Sequence, residues 1–191
     1  MLYAFSRGVL QGILYGVRRM VVSGRANIPR QGPLIVAANH ISYWDPVVVG
    51  CVMDRQVHFM AKKELFQIPL LGPFIREVGG FPVDRSRTGA GTIKLAAALL
   101  REGKVLGIFP EGTRSHSGHI LSPQLGTFLL AGTAGAPVLP VAITGSRGAA
   151  GRVRVYIGEV MPPPAREAGR SGLEAYGQRW AKEINRLLGL H

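Results

Sequence analysis

Cysteine is almost absent from this sequence: Cys51 stands alone in 191 residues. No disulfide framework can form within the chain, which points to a reducing compartment. Cys51 lies in the apolar run VVVGCVM and reads as a small core residue rather than a nucleophile. Acidic residues are scarce as well. Eleven stand against 23 basic ones, for a formal charge of +12, and none precedes Asp45. Such a balance calls for an anionic partner: nucleic acid, an anionic membrane, or an acidic substrate or carrier. No uncharged apolar run reaches the roughly 18 residues a membrane-spanning helix needs. No basic start leads into a clean apolar block and cleavage site, so no signal peptide is expected. The chain has neither a GxxxxGK[ST] nor a GxGxxG phosphate cradle. Zinc-finger spacing is missing, and the basic residues are not interleaved with aromatics as a nucleic-acid platform would need, so no nucleic-acid partner is expected. His116 and His119 are too few ligands for a metal site and read as surface histidines, and His58 reads as a strand residue.

What is present is enough for one α/β domain. The chain is 47% hydrophobic, and its length allows a sizeable core. Residues 2–22 read as an N-terminal helix in spite of glycines at 8, 12 and 16. That stripe allows close packing, or else weakens the helix. Arginines 7, 18 and 19 interrupt an otherwise apolar, aromatic-bearing surface. The helix suits a membrane interface, with arginines near lipid headgroups, and it equally suits packing on the domain's own core. Residues 1–24 are therefore taken as an N-terminal amphipathic helix and 25–191 as the main domain. Beyond the helix, apolar strand-like runs (33–38, 56–62, 80–85, 104–110, 138–144 and 152–160) alternate with helical patterns near 46–53, 89–102, 124–134 and 171–189. Pro69, Gly72 and Pro73 break helical continuity between the second and third strands. The alternation predicts a single mixed, mostly parallel sheet flanked by helices.

The chain is organised around Asn39-His40-Ile41-Ser42-Tyr43-Trp44-Asp45. The buried-strand run Pro33–Ala38 ends at this stretch, and Asp45-Pro46 opens a helix, with the carboxylate as cap and proline at the first helical position. Within one helix, His40 and Asp45 would point roughly 140° apart. Through a strand-to-helix turn they can meet, one carboxylate oxygen capping the helix and the other holding the imidazole N–H. A histidine so oriented is a general base for a hydroxyl proton near neutral pH. On spacing alone the plainer reading, a strand-end histidine and a capping aspartate, has the edge.

A second stretch, Pro110-Glu111-Gly112-Thr113-Arg114-Ser115, carries one carboxylate and one guanidinium in a loop at a strand end, where α/β domains place ligands. Arg114 suits a phosphate through its planar fork, and Glu111 can hold Arg114 or bond a hydroxyl. Arg85 at the end of FPVDR and the pair Lys62-Lys63 are further phosphate candidates. Each alone is more often a solvated surface charge than a ligand.

Together, NHISYWD, AKKELFQIPLLGPFIREVGGFPVDR, FPEGTRS and APVLPVAITG resemble the glycerolipid acyltransferase family. In pattern they are most like its bacterial 1-acyl-glycerol-3-phosphate acyltransferases of the PlsC type. The resemblance covers about residues 25–160, with the FPEGTRS block about 70 residues after the HxxxxD block. It implies an α/β acyltransferase domain, an N-terminal region engaging the cytoplasmic face of a membrane with anionic lipids, and no cofactor. His40 would be the base and Asp45 its orienter. Arg114, with Glu111 and Gly112, would bind the glycerol phosphate of the acceptor, as would Arg85 and Lys62. The implied reaction moves a fatty acyl group from acyl-CoA or acyl-carrier protein to the free hydroxyl of lysophosphatidic acid, giving phosphatidic acid. One departure stands out. Where the family commonly carries one or two basic residues after FPEGTRS, this chain has Ser122-Pro123-Gln124-Leu125-Gly126-Thr127-Phe128. That leaves open another lysolipid acceptor, such as a lyso-ornithine lipid. A catalytically inactive basic membrane- or nucleic-acid-binding domain is a further alternative, although His40, Asp45 and Arg114 are all retained.

Overall fold

In a computed structural model that describes residues 2–83, 90–148 and 151–189, the centre is strand β2 (Leu34–Ala38). All five of its residues are buried, because both faces of the sheet are covered. Leu34, Val36 and Ala38 face one core, and Ile35 and Ala37 face the other. This is the period-two alternation of a strand, apolar on both sides.

The other strands are β1 (Val21–Ser23), β3 (Val57–Lys62), β4 (Gly80–Val83), β5 (Val105–Ile108), β6 (Val138–Thr144) and β7 (Arg154–Ile157). They form one sheet in the order β1-β7-β6-β2-β5-β3-β4. Among the described strands only β6 and β7 pair antiparallel, so the sheet is mixed and mostly parallel, as expected. β5 and β6 both run parallel to β2, one on each side. The carboxyl ends of β6, β2 and β5 are therefore brought side by side.

The helices are α1 (Leu2–Gly12), α2 (Asp45–Val52), α3 (Leu71–Glu77), α4 (Ala90–Arg101), α5 (Leu125–Ala134) and α6 (Gly169–Leu188). Residues of α2 share one core with Leu14 and Met20, whereas α4, α5 and α6 fill the other around Phe128 and Trp180. Cys51, in α2, is buried, and burial pushes its thiol up to about 11, so it is a packing residue with no thiolate at neutral pH.

The N-terminal segment departs from expectation at its end. Helical structure runs through α1 and one π-helical turn, Ile13–Val17, and then stops. Arg19 takes a positive φ of 45° and Val21–Ser23 joins the sheet edge beside β7. Arg18 explains the stop. It is buried and donates to the carbonyls of Gly145 (2.9 Å) and Gly151 (3.1 Å), anchoring the chain where it turns. Two β-branched valines beyond it then find a strand partner. On the inward side, Arg7 donates to Met53 O (2.6 Å), Gln11 donates to Cys51 O (2.8 Å), and Leu14 is fully buried. The positions of Gly8, Gly12 and Gly16 meet nothing within 4 Å. Among the described residues the glycine stripe is therefore not a packing seam. No helix among the described residues is long and apolar enough to cross a membrane.

Candidate active site

Asn39 starts the site. After β2 ends, its buried side chain continues the ladder: Nδ2 donates to Ile143 O at 3.0 Å and Oδ1 accepts Ile143 N–H at 2.6 Å. With the side chain standing in for backbone pairing, the main chain is free to turn out of the sheet at His40.

The turn brings His40 Nδ1 to 2.9 Å from Asp45 Oδ2. The same oxygen accepts the N–H groups of Ile41 and Ser42, each at 2.7 Å. Oδ1 accepts Ser146 Oγ–H at 2.6 Å. Asp45 is fully buried, and four donors satisfy it, as a buried carboxylate requires. Because that oxygen is already served by two N–H donors and the carboxylate only accepts, His40 carries its proton on Nδ1, which leaves Nε2 as the acceptor. The expected helix-capping role is replaced by a different one. Asp45 stands inside the first turn of α2, after Trp44, and makes no cap bond to the helix. Its oxygens are instead spent on the preceding turn, because the 41–42 N–H groups lie nearer the histidine than those of α2.

The ring of His40 stacks on Phe109, with centroids 4.1 Å apart and planes 19° from parallel. Phe59 stacks behind Phe109 at 6.2 Å. The aromatic column exists because β5 carries Gly107: a Cβ there would lie 2.1 Å from the Phe59 ring.

Glu111 is 3% exposed. Oε1 accepts His40 N–H at 2.8 Å and Oε2 accepts Leu121 N–H at 2.9 Å. Burial pushes its carboxyl above the ordinary range, and the two N–H bonds oppose that only in part. Glu111 thus ties the β5 loop to the His40 turn and does not hold Arg114. Arg114 is held by Tyr43, donating to its hydroxyl at 2.8 Å while the guanidinium lies 3.6 Å from the ring centroid. Tyr43 is 78% exposed, so Arg114 is presented at the surface beside the His40 turn. Gly112 has a φ of +71°, and a Cβ there would strike the Gln124 side chain at 2.2 Å. The segment lacking basic residues therefore lies directly against the FPEGTRS loop, and Gln124 N–H also donates to Pro110 O at 2.8 Å.

Lys62 ends β3 on the same carboxyl edge, with β5 between its strand and β2. Arg85 lies outside the described residues. Sequence reasoning passed over Asn39, Phe109, Ser146 and Arg147. The last donates through Nε to Ile41 O at 3.2 Å and through Nη2 to Ser115 O, joining the two loops. A lone serine or arginine after a strand carries no pattern that would single it out. Among the described residues no group of His, Cys, Asp and Glu is placed to hold a metal ion.

A carboxylate-oriented histidine and a surface arginine lie at the carboxyl edge of a mostly parallel sheet, where α/β domains place ligands, and the pair suits an enzyme that takes a proton from a hydroxyl. The chain belongs to the acyltransferase family, whose model matches residues 19–144. It is 32% identical to the 1-acyl-sn-glycerol-3-phosphate acyltransferase of Bacillus subtilis, an alignment covering 97% of this chain and 98% of that protein. The protein of the same name from Streptococcus pneumoniae is also 32% identical, over 98% of this chain and 73% of its own length. The fold matches the crystal structure of the 1-acyl-sn-glycerophosphate (LPA) acyltransferase PlsC from Thermotoga maritima. That match has a TM-score of 0.77 and 27% identity, over 98% of this chain and 80% of that one.

Proposed function

We propose that the chain acylates the free hydroxyl of a 1-acyl-glycerol-3-phosphate, taking the acyl group from the thioester of acyl-CoA or acyl-carrier protein. The observation that carries this reading is the His40 Nδ1–Asp45 Oδ2 contact at 2.9 Å, with the aspartate buried and its oxygens saturated. His40 Nε2 takes the hydroxyl proton as the alkoxide oxygen attacks the thioester carbonyl carbon. The tetrahedral intermediate collapses with cleavage of the C–S bond. The departing thiolate takes up the proton from the imidazolium, and the free base returns. No acyl-enzyme is required: the Ser42 hydroxyl is engaged with Ser146 O, and Cys51 is buried. Arg114 binds the acceptor phosphate through paired charge-assisted hydrogen bonds, with Lys62 and Arg85 as further cationic contacts. Fixing the phosphate places the reacting hydroxyl at the base. The apolar outer side of α1 and of the π-helical turn after it, with Phe5 and Val17 more than two-thirds exposed, supports seating on an anionic membrane from which a lysolipid is drawn.

Thiol release from palmitoyl-CoA and from palmitoyl-carrier protein, with and without lysophosphatidic acid, tests the reading. Release dependent on lysophosphatidic acid is expected, and the better donor identifies the thioester used. Release with a phosphate-free lysolipid but not with lysophosphatidic acid would favour the second reading, another acceptor, which rests on Gln124 standing at Gly112 where a basic residue is expected.

A further inference from the structure

Asp45 can orient His40 only if its own carboxylate plane is fixed, and the torsion that sets this plane is intrinsically broad. Three of its four donors crowd one oxygen, and all three come from the short turn 40–42. Among the described residues the other oxygen has a single donor, Ser146 Oγ, at 2.6 Å. Ser146 comes from elsewhere in the fold, beyond the end of β6, and is fully buried. Its carbonyl accepts Ser42 Oγ–H at 3.0 Å, and Ser42 Oγ accepts Trp44 N–H at 3.2 Å. The bonds close a ring: Ser42 N–H to one aspartate oxygen, Ser42 Oγ–H to Ser146 O, and Ser146 Oγ–H to the other oxygen. Rotating the carboxylate away from His40 would break it. The next residue, Arg147, fastens the same strand end to Ile41 O and Ser115 O. The family match ends at residue 144, two positions before Ser146.

We propose that Ser146 is a positioning residue for the reaction, holding the Asp45 carboxylate in the plane that aims His40 Nε2 at the acceptor hydroxyl. The inference rests on the reading of His40 and Asp45 as base and orienter. Ser146 is fully buried, out of reach of either substrate, so its loss should act on turnover and not on binding.

The test compares steady-state kinetics of the full-length wild type, Ser146→Ala, Asp45→Ala and the double variant, with folding checked by thermal melts. A hydrogen bond to a charged group is lost, so Ser146→Ala should lower kcat about 10- to 100-fold. Both KM values should stay within about twofold, and in the Asp45→Ala background the same change should cost less than about twofold. Ser146→Cys keeps the shape of the side chain with a somewhat larger and weaker donor and should fall between wild type and alanine. If Ser146→Ala does not fold, Ser146→Cys decides alone: a lower kcat at unchanged KM supports positioning. Wild-type kcat in a folded Ser146 variant overturns the inference, and so does an equal loss in both backgrounds, the mark of a structural role. Full activity in Asp45→Ala instead brings down the reading of the pair, and the inference with it.

Discussion

A histidine serves as a base near neutral pH when one ring nitrogen is bare and the imidazolium it becomes is stabilised. At His40 one buried carboxylate holds Nδ1 and leaves Nε2 open, and the cost of burying that carboxylate is met by donors from two separate segments, the 40–42 turn and Ser146. Glu111 works on the same principle one step further out. Its two oxygens each accept a backbone N–H, so an amide at that position would set an NH2 group against one of them. Glu111→Gln is expected to destabilise the fold by about 1–3 kcal/mol, lowering Tm by several degrees and activity with it. An unchanged melting curve would show that the loop does not depend on this carboxylate. Arg114 is different in kind, because its partner Tyr43 is exposed and the guanidinium reaches the surface. Arg114→Ala should raise the KM for the phosphorylated acceptor about tenfold or more while leaving Tm nearly unchanged, since one charge-assisted contact is removed. An unchanged KM would make Arg114 a structural partner of Tyr43.

At the scale of elements, the site is made where the carboxyl ends of β6, β2 and β5 meet, each contributing one loop: Ser146, His40 and Glu111. The aromatic column behind His40 depends on β5 and β3 packing through Gly107. Gly107→Ala would drive a methyl group into the Phe59 ring and is expected to cost about 1–3 kcal/mol of stability, by overpacking. It should also lower kcat as the Phe109 stack shifts. Wild-type stability in that variant would mean that the ring relaxes without strain. Most elements were legible from sequence because their signals are local. The run LIVAA, the Asp-Pro helix start and Gly103, with φ of +73°, after α4 each act within a few residues. The His40 turn was legible as a place of chemistry for the same reason. Ser146, Asn39 and the true work of Glu111 were not, since each depends on a partner 71 or more positions away in the chain. The strand at Val21–Ser23 was absorbed into the N-terminal helix because its partner β7 lies at the other end of the sequence.

For the whole molecule, charge and exposure point the same way. A formal charge of +12 accompanies an N-terminal segment that is tied inward by Arg7, Gln11 and Leu14 and shows Phe5, Val9 and Val17 outward. A basic body with an apolar edge suits an anionic bilayer, where each basic residue near the surface contributes about 1 kcal/mol. Sedimentation with vesicles containing phosphatidylglycerol is expected, weakening at high salt and falling further when Val9 and Val17 are both replaced by aspartate. Binding indifferent to those substitutions would place the membrane contact elsewhere.

The most direct test of the central claim is acceptor-dependent thiol release from palmitoyl-CoA and palmitoyl-carrier protein, comparing wild type with a folded His40→Ala variant. Loss of general-base catalysis should lower turnover at least about 100- to 10,000-fold, with the melting temperature within a few degrees of wild type. Turnover in the variant close to that of wild type would contradict the assignment of His40 as the base.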